Sequence, residues 1–231
     1  GFPKSSGDTL RELQPGWSEA IAPQQPILEG RVGQPSKKLG VYNLAMRPLM
    51  DEKISEKAVA YILKQEKTAQ PFFLYVAFSL PHTPPLPNPK FADRSKTDYQ
   101  NVLREIDANT GAILDALAQT GLEDNTIVVW ASDNGPETML GIGVQYGAQA
   151  DSGPFRGEFP SAWEGAIRTP AIIRWPAKVP PGRSSNELVS IMDFYATFAA
   201  LAAAQEHMPT DRAIDSVDQS ALFLGKATKS E

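Results

Sequence analysis

The chain has 231 residues, 42% hydrophobic and 21% charged, and its 22 basic against 27 acidic side chains leave a net charge of −5. That is a globular composition, long enough for one large domain or two small ones; the acidic balance and the lack of a basic stripe argue against a nucleic-acid partner. No apolar run reaches the roughly 18 to 20 residues that cross a bilayer, and a chain with no cysteine has no disulfide, thiolate metal site or cysteine nucleophile.

The opening residues, GFPKSSGDTL, lack the charged and apolar regions of a signal peptide. With a Gly start and an end at KATKSE, the chain reads as a piece of something longer. Residues 1–45 are dense in turn formers, as in QPGWSEAIAPQQPILEGRVGQPSKK, and predict an irregular connecting segment. From Asp51, placed to cap, Ile54, Ala58, Tyr61 and Ile62 fall on one stripe and predict a helix that Pro71 ends. The apolar run FFLYVAFS, residues 72–79, lies between Pro71 and Pro81 and predicts a strand buried on both faces. PHTPPLPNPKF then predicts a stiff loop that cannot pair in a sheet.

Tyr99, Val102, Leu103, Ile106, Ile113, Leu114 and Leu117 recur at three and four, which predicts a helix over 98–120 with Gly121 as its stop. TIVVWAS follows as a second buried strand, so strand, long helix and strand predict a βαβ crossover over a parallel sheet. Residues 136–167 are Gly-rich and irregular, AIIRW (171–175) predicts a third strand, and Phe194, Phe198 and Leu201 predict a helix from near Asp193. There is no internal repeat and no linker. The expectation is a single partial α/β domain, with its sheet and helix core over 46–205 and the start of a C-terminal region over 206–231.

Two places hold candidate chemistry. Asp133 and Asn134 stand at the carboxyl end of the second strand, where ligands gather in an open α/β sheet. Their carboxylate and amide carbonyl are hard oxygen donors suited to Ca²⁺ or Mg²⁺, and Gly135 lets the backbone turn. Asn-Gly is also a favoured turn pair, so from these residues alone turn chemistry is the stronger reading of the corner. His82, pinned between Pro81 and Pro84, is placed to meet an anion or donate a proton; the alternative is a loop histidine without chemistry. His207, near an Ala-rich helix end, carries only that plain reading.

Taken together, PFFLYVAFSLPHTPP, REIDANTGAILDALAQTGLEDNTIVVWASDNGPE, GPFRGEFPSAWEGAIRTPAIIRWPAKVPPGRSSNELVSIMDFYATFAAL and IDSVDQSALFLG resemble, in that order, the later blocks of the formylglycine-dependent sulfatases of the alkaline phosphatase superfamily. The likeness runs from about residue 40 to the C-terminus. It implies an α/β sandwich around a mixed, mostly parallel sheet flanked by helices, incomplete at both ends. By the same likeness, Asp133 and Asn134 match the Ser-Asp-Asn-Gly block whose two residues ligate Ca²⁺ (Mg²⁺ in some members). His82 matches the Pro-His-x-Pro histidine that contacts the sulfate and handles the leaving-group proton. A common pocket for a doubly charged cation and a tetrahedral anion is expected around these three residues.

The chain also departs from that family pattern. The family's formylglycine comes from a Cys or Ser in a Cys/Ser-x-Pro-x-Arg block near the start, and this chain is read as having no cysteine and no such block. The early acidic pair and the Gly-Lys-x-His block are missing too, so the chain alone is expected to be inactive, with a missing N-terminal segment as its natural partner. Where many members carry a lysine three residues after the Arg-Gly arginine, this chain has Phe159; Arg156 and Arg168 read as loop braces paired with Glu158 or Glu164. The resemblance implies a sulfuric ester hydrolase acting on a small sulfate ester. The alternatives are a phosphate or phosphonate ester hydrolase of the same superfamily, and a non-catalytic module binding a cation or a sulfated glycan.

Overall fold

The computed structural model describes residues 24–68, 70–82, 85–137 and 150–230. The chain divides into two compact units: the first reaches to Gly121 and includes Asp151, and the second takes up Leu122–Glu137 and runs on from Ser152.

The first unit opens with a hairpin in which β1 (Gln25–Glu29) pairs antiparallel with β2 (Lys37–Tyr42), with a register shift between Ile27 and Leu28. Residues 24–45 are thus not wholly irregular. The turn formers that suggested a connection supply the turn between these strands, with Gly33 at φ +77°. Helix α1 (Arg47–Gln65) has Pro48 in its first turn. Because it begins four residues before Asp51, that residue does not cap it. Asp51 instead heads the buried stripe Asp51, Ser55, Ala58 and Ile62, spaced at four, three and four along one face.

That stripe packs against α2 (Asp98–Gln119). This second helix starts from a capping box in which Thr97 Oγ1 accepts from the Gln100 amide at 3.2 Å and Gln100 Oε1 accepts from the Thr97 amide at 3.1 Å. It ends before Gly121, whose φ of +67° is the left-handed stop read from the sequence. Ile62 on α1 and Val102 and Leu117 on α2 are fully buried, each contributing about 1.5–3 kcal/mol by leaving water.

Residues 71–79 differ from expectation. They form no ladder with any described strand, and their burial alternates with the period of two of an extended chain. Phe72 meets the Tyr61 ring edge-on at 5.8 Å, whereas Phe73 and Tyr75 are 74% and 80% exposed. Only one face of the run is covered, so it is not a strand buried on both sides.

In the second unit β3 (Val128–Ala131) is followed by the short helix α3 (Glu164–Ile167) and by β4 (Ala171–Arg174), which pairs antiparallel with β3, Trp130 opposite Ile172. Both ladders among the described residues are antiparallel, so they supply none of the parallel pairing that was expected. Arg174 Nη2 reaches Glu123 Oε2 at 2.7 Å and Trp175 Nε1 donates to the Asp124 carbonyl at 3.0 Å, fastening β4 to the turn before β3. Helix α4 (Asp193–Leu201) begins at the predicted residue. The tail folds back on it through α5 (Ser220–Phe223), with Phe194 against Phe223 at 6.1 Å, Val217 N donating to Asp193 Oδ1 at 3.0 Å and Gln219 N to Thr197 Oγ1 at 2.9 Å.

Candidate functional site

His82 belongs to the first unit, Asp133 and Asn134 to the second.

His82 is exposed and follows directly on the 71–79 run. Its amide donates to the Ser79 carbonyl at 3.2 Å, a one-turn reversal. Both sides of that turn are gripped by α1. Asp51 Oδ1 accepts from Ser79 N at 2.9 Å and Ser79 Oγ at 2.8 Å, and Asp51 Oδ2 accepts from Leu80 N at 2.9 Å. One helical turn earlier, Arg47 Nη2 donates to the His82 carbonyl at 2.8 Å and Nη1 to the Tyr42 hydroxyl at 2.8 Å. Asp51 is 1% exposed, and three hydrogen bonds replace the water its carboxylate has lost.

The far side of the proline-rich loop is gripped as well. Asn88 N donates to Glu105 Oε2 at 2.7 Å, and Asn88 Nδ2 to Glu52 Oε2 at 2.9 Å. Asn88 Oδ1 accepts from Lys90 N at 3.1 Å and caps the turn Pro89–Phe91. The Lys90 ammonium bonds Glu52 Oε1, which holds the Glu52 carboxyl below its ordinary range. Glu105 on α2 is fully buried, and its Oε1 has no hydrogen-bond partner among the described residues. Burial pushes its carboxyl up to about 7; the Asn88 amide opposes the rise, and the nearby Asp51 and Glu52 charges add to it.

The Asp-Asn-Gly corner leaves β3 at Ser132. Asp133 is exposed, and its Oδ1 accepts from Asn134 N at 3.0 Å. Asn134 Nδ2 donates to the Gly135 carbonyl at 2.9 Å and Ser132 Oγ to the Asn134 carbonyl at 3.1 Å. These are turn bonds, so the turn chemistry read from the sequence is present. With Asn134 Nδ2 spent on the backbone, neither Asn134 Oδ1 nor Asp133 Oδ2 accepts a hydrogen bond among the described residues. Two hard, unbonded oxygens on adjacent residues fit part of a Ca²⁺ shell, which takes six to eight. Among the described residues no group of three or more His, Cys, Asp or Glu could hold a metal by itself, so further ligands would have to come from elsewhere.

The corner is held in place by backbone. Gly135 N donates to the Ala166 carbonyl at 2.7 Å, and a Cβ on Gly135 would stand 2.0 Å from the Gly165 carbonyl oxygen. Gly165 is equally confined, its N donating to the Arg156 carbonyl at 2.8 Å and its missing Cβ lying 2.1 Å from the Gly157 carbonyl. Phe159 N adds a bond to the Pro136 carbonyl at 3.0 Å. The reason for glycine here is close approach of backbones, beyond the turn itself.

The arginines act as braces. Arg168 Nε pairs with Glu164 at 2.6 Å, as expected, and its guanidinium lies over Phe155; Arg156 stacks on Trp163 at 3.9 Å. Phe159, where many relatives were expected to carry lysine, is 41% exposed. Contrary to the expectation that no such block is present, the spacing Ser-x-Pro-x-Arg occurs once, at Ser152–Arg156, overlapping the GPFRGEF stretch. There Ser152 Oγ donates to the Phe155 carbonyl at 3.0 Å, a turn bond. Sequence reasoning missed Arg47, Glu105 and the role of Asp51. The signal was present: Asn101, Glu105 and Asn109 recur at four on the same buried side as Val102 and Ile106, an unusual cost for a helix face to carry.

Comparison with known proteins bears on both halves. A sulfatase family model matches residues 22–204. Steryl-sulfatase of Rattus norvegicus is 35% identical over 185 residues, covering 79% of this chain and 31% of the relative. N-acetylgalactosamine-6-O-sulfatase of Bacteroides thetaiotaomicron is 36% identical over 178 residues, covering 75% and 34%. Among solved structures, the PsFucS1 sulfatase from Pseudoalteromonas sp. superposes with a TM-score of 0.78 at 27% identity, covering 88% of this chain and 40% of that one. The chain spans about a third of the length of the curated relatives it matches. Its mixed helix and sheet architecture is that of the alkaline phosphatase-like fold these structures share. From the family match over most of its length, and from relatives above 30% identity, the chain belongs to the sulfatase family.

Proposed function

We infer that this chain is the part of a sulfuric ester hydrolase that supplies two metal ligands and the anion-facing histidine, with Ca²⁺ as the metal and Mg²⁺ as the substitute. The observation that carries the reading is the Ser-Asp-Asn-Gly corner, which presents Asp133 Oδ2 and Asn134 Oδ1 without protein partners among the described residues. Asp133 and Asn134 would hold the cation. A bound divalent cation withdraws charge from the sulfuryl oxygens. His82 meets the sulfate and delivers a proton to the departing alkoxide or phenoxide oxygen, so that it leaves as an alcohol. The nucleophile, the remaining metal ligands and the substrate class lie with the rest of the site.

The test is a chimera in which residues 22–204 replace the matching stretch of the Bacteroides relative, assayed on an aryl sulfate. It is expected to turn over, with His82→Ala and Asp133→Ala each lowering kcat/KM by about 100-fold or more. Full activity in both variants would overturn the reading.

A further inference from the structure

We propose that Arg47 and Asp51, one turn apart on α1, are positioning residues for His82: together they fix the backbone on both sides of the histidine so that its imidazole is presented in one orientation. The proposal rests on the functional reading of His82 given above.

The chemistry of the loop explains the need. Between Leu80 and Lys90, Pro81, Pro84, Pro85, Pro87 and Pro89 have no amide hydrogen, so the segment has few groups with which to fasten itself. One of the remaining donors, His82 N, closes the turn back to Ser79. Fixing the loop therefore falls to groups outside it. Asp51 takes two consecutive amides, Ser79 and Leu80, on its two carboxylate oxygens, with the Ser79 hydroxyl as a third donor. Arg47 takes the carbonyl of His82 itself and braces its other nitrogen on Tyr42.

The two grips are complementary. A carboxylate can only accept and a guanidinium only donate, and here each meets the backbone group of matching sense. Their side chains rise from the same helical face at i and i+4, so residues 79, 80 and 82 are all referred to one rigid element. With N–H and C=O anchored on either side of its Cα, His82 keeps only its side-chain torsions to vary. Burying a carboxylate is a poor way to gain stability, since the desolvation cost rivals the interaction gained. It is a good way to fix geometry, as the planar, bidentate contacts at Asp51 do.

The experiment uses the full chain carrying His207→Gln, which leaves His82 as the sole imidazole of the two histidines. The imidazole ¹H–¹³C signal, its relaxation and the exchange of the Ser79 and Leu80 amides are compared in Arg47→Ala, Arg47→Lys and Asp51→Asn, with thermal melting as the check on global folding. Arg47→Ala is expected to broaden or split the His82 signal while the melting temperature moves by only a few degrees, and Arg47→Lys to restore part of it. Asp51→Asn, which turns an amide group toward one of the two backbone donors, is expected to speed exchange of Ser79 or Leu80 by at least about tenfold and to disturb His82 with it. A single sharp His82 signal with unchanged relaxation in Arg47→Ala overturns the proposal, whatever the amides do; this variant decides if Asp51→Asn fails to fold. Activity of the chimera carrying His82→Ala separates the two readings. If that variant is fully active while Arg47→Ala disturbs the His82 signal, the anion-facing role falls and the positioning role stands.

Discussion

The Gly165 carbonyl oxygen occupies the space that a Cβ on Gly135 would need, 2.0 Å from its ideal position. The obstacle is backbone, itself bonded through Gly165 N to Arg156, so it cannot swing aside as a flexible side chain would. Gly135→Ala is expected to destabilise the second unit by about 2 kcal/mol or more, the scale of an overpacked core. Urea unfolding followed by tryptophan fluorescence measures this. A stability within 0.5 kcal/mol of the parent, as ordinary surface changes give, would mean that the loop yields and that Gly135 serves the turn alone.

Gly111 makes the opposite case. It lies inside α2, and a Cβ there would meet nothing within 4 Å. The sequence read this stretch as a helix in spite of the glycine. Gly111→Ala is expected to stabilise the chain by about 0.5–1 kcal/mol, because alanine restricts the unfolded chain and fits the helix without contact cost. Thermal unfolding of the two single variants side by side should show shifts of opposite sign.

These two glycines also mark what the sequence made legible. The long helix was readable because seven apolar residues recur at three and four and Gly121 follows them; the start of α4 at Asp193 and the strands at 128 and 171 were readable for similar local reasons. Strand pairing was not, since it depends on partners remote in sequence. FFLYVAFS looks doubly buried by composition, yet Phe73 and Tyr75 face outward. Asp51 was taken for a cap because an acidic residue before an apolar stripe usually is one; the first turn, with Pro48, lay one turn upstream. The corner residues were legible by type. What holds them, a stack of closely approaching glycine backbones, leaves only scattered glycines in the sequence.

The metal reading predicts weak binding by the isolated chain. Two protein oxygens of the six to eight that Ca²⁺ takes leave most of the shell to water, so a dissociation constant on the order of 1 mM or weaker is expected. Asp133→Ala removes the charged ligand and should abolish even that. Calorimetric titration with Ca²⁺ measures both. Equal binding before and after the substitution would place the cation elsewhere and leave the corner a turn.

Glu105 supplies a pH dependence whose sign follows from its burial. Its carboxyl is raised from 4.5 to about 7 in the folded chain, so between those values the folded state holds a proton that the unfolded state has released. Stability therefore falls as pH rises through this window and levels off above about 7, a total cost of about 3 kcal/mol. The groups facing it agree with that sign: Asp51 and Glu52 from α1 are acidic, Lys90 is engaged with Glu52, and among the described residues the hydrogen bond from Asn88 leaves Oε1 without a partner. Glu105→Gln keeps an oxygen for the Asn88 amide and removes the charge. Chemical denaturation at pH 4, 6 and 8 should find the variant similar to the parent at pH 4 and more stable by up to about 3 kcal/mol at pH 8. A variant less stable than the parent at pH 8 would mean that the Glu105 charge is compensated inside the fold and that burial is not what sets its proton affinity.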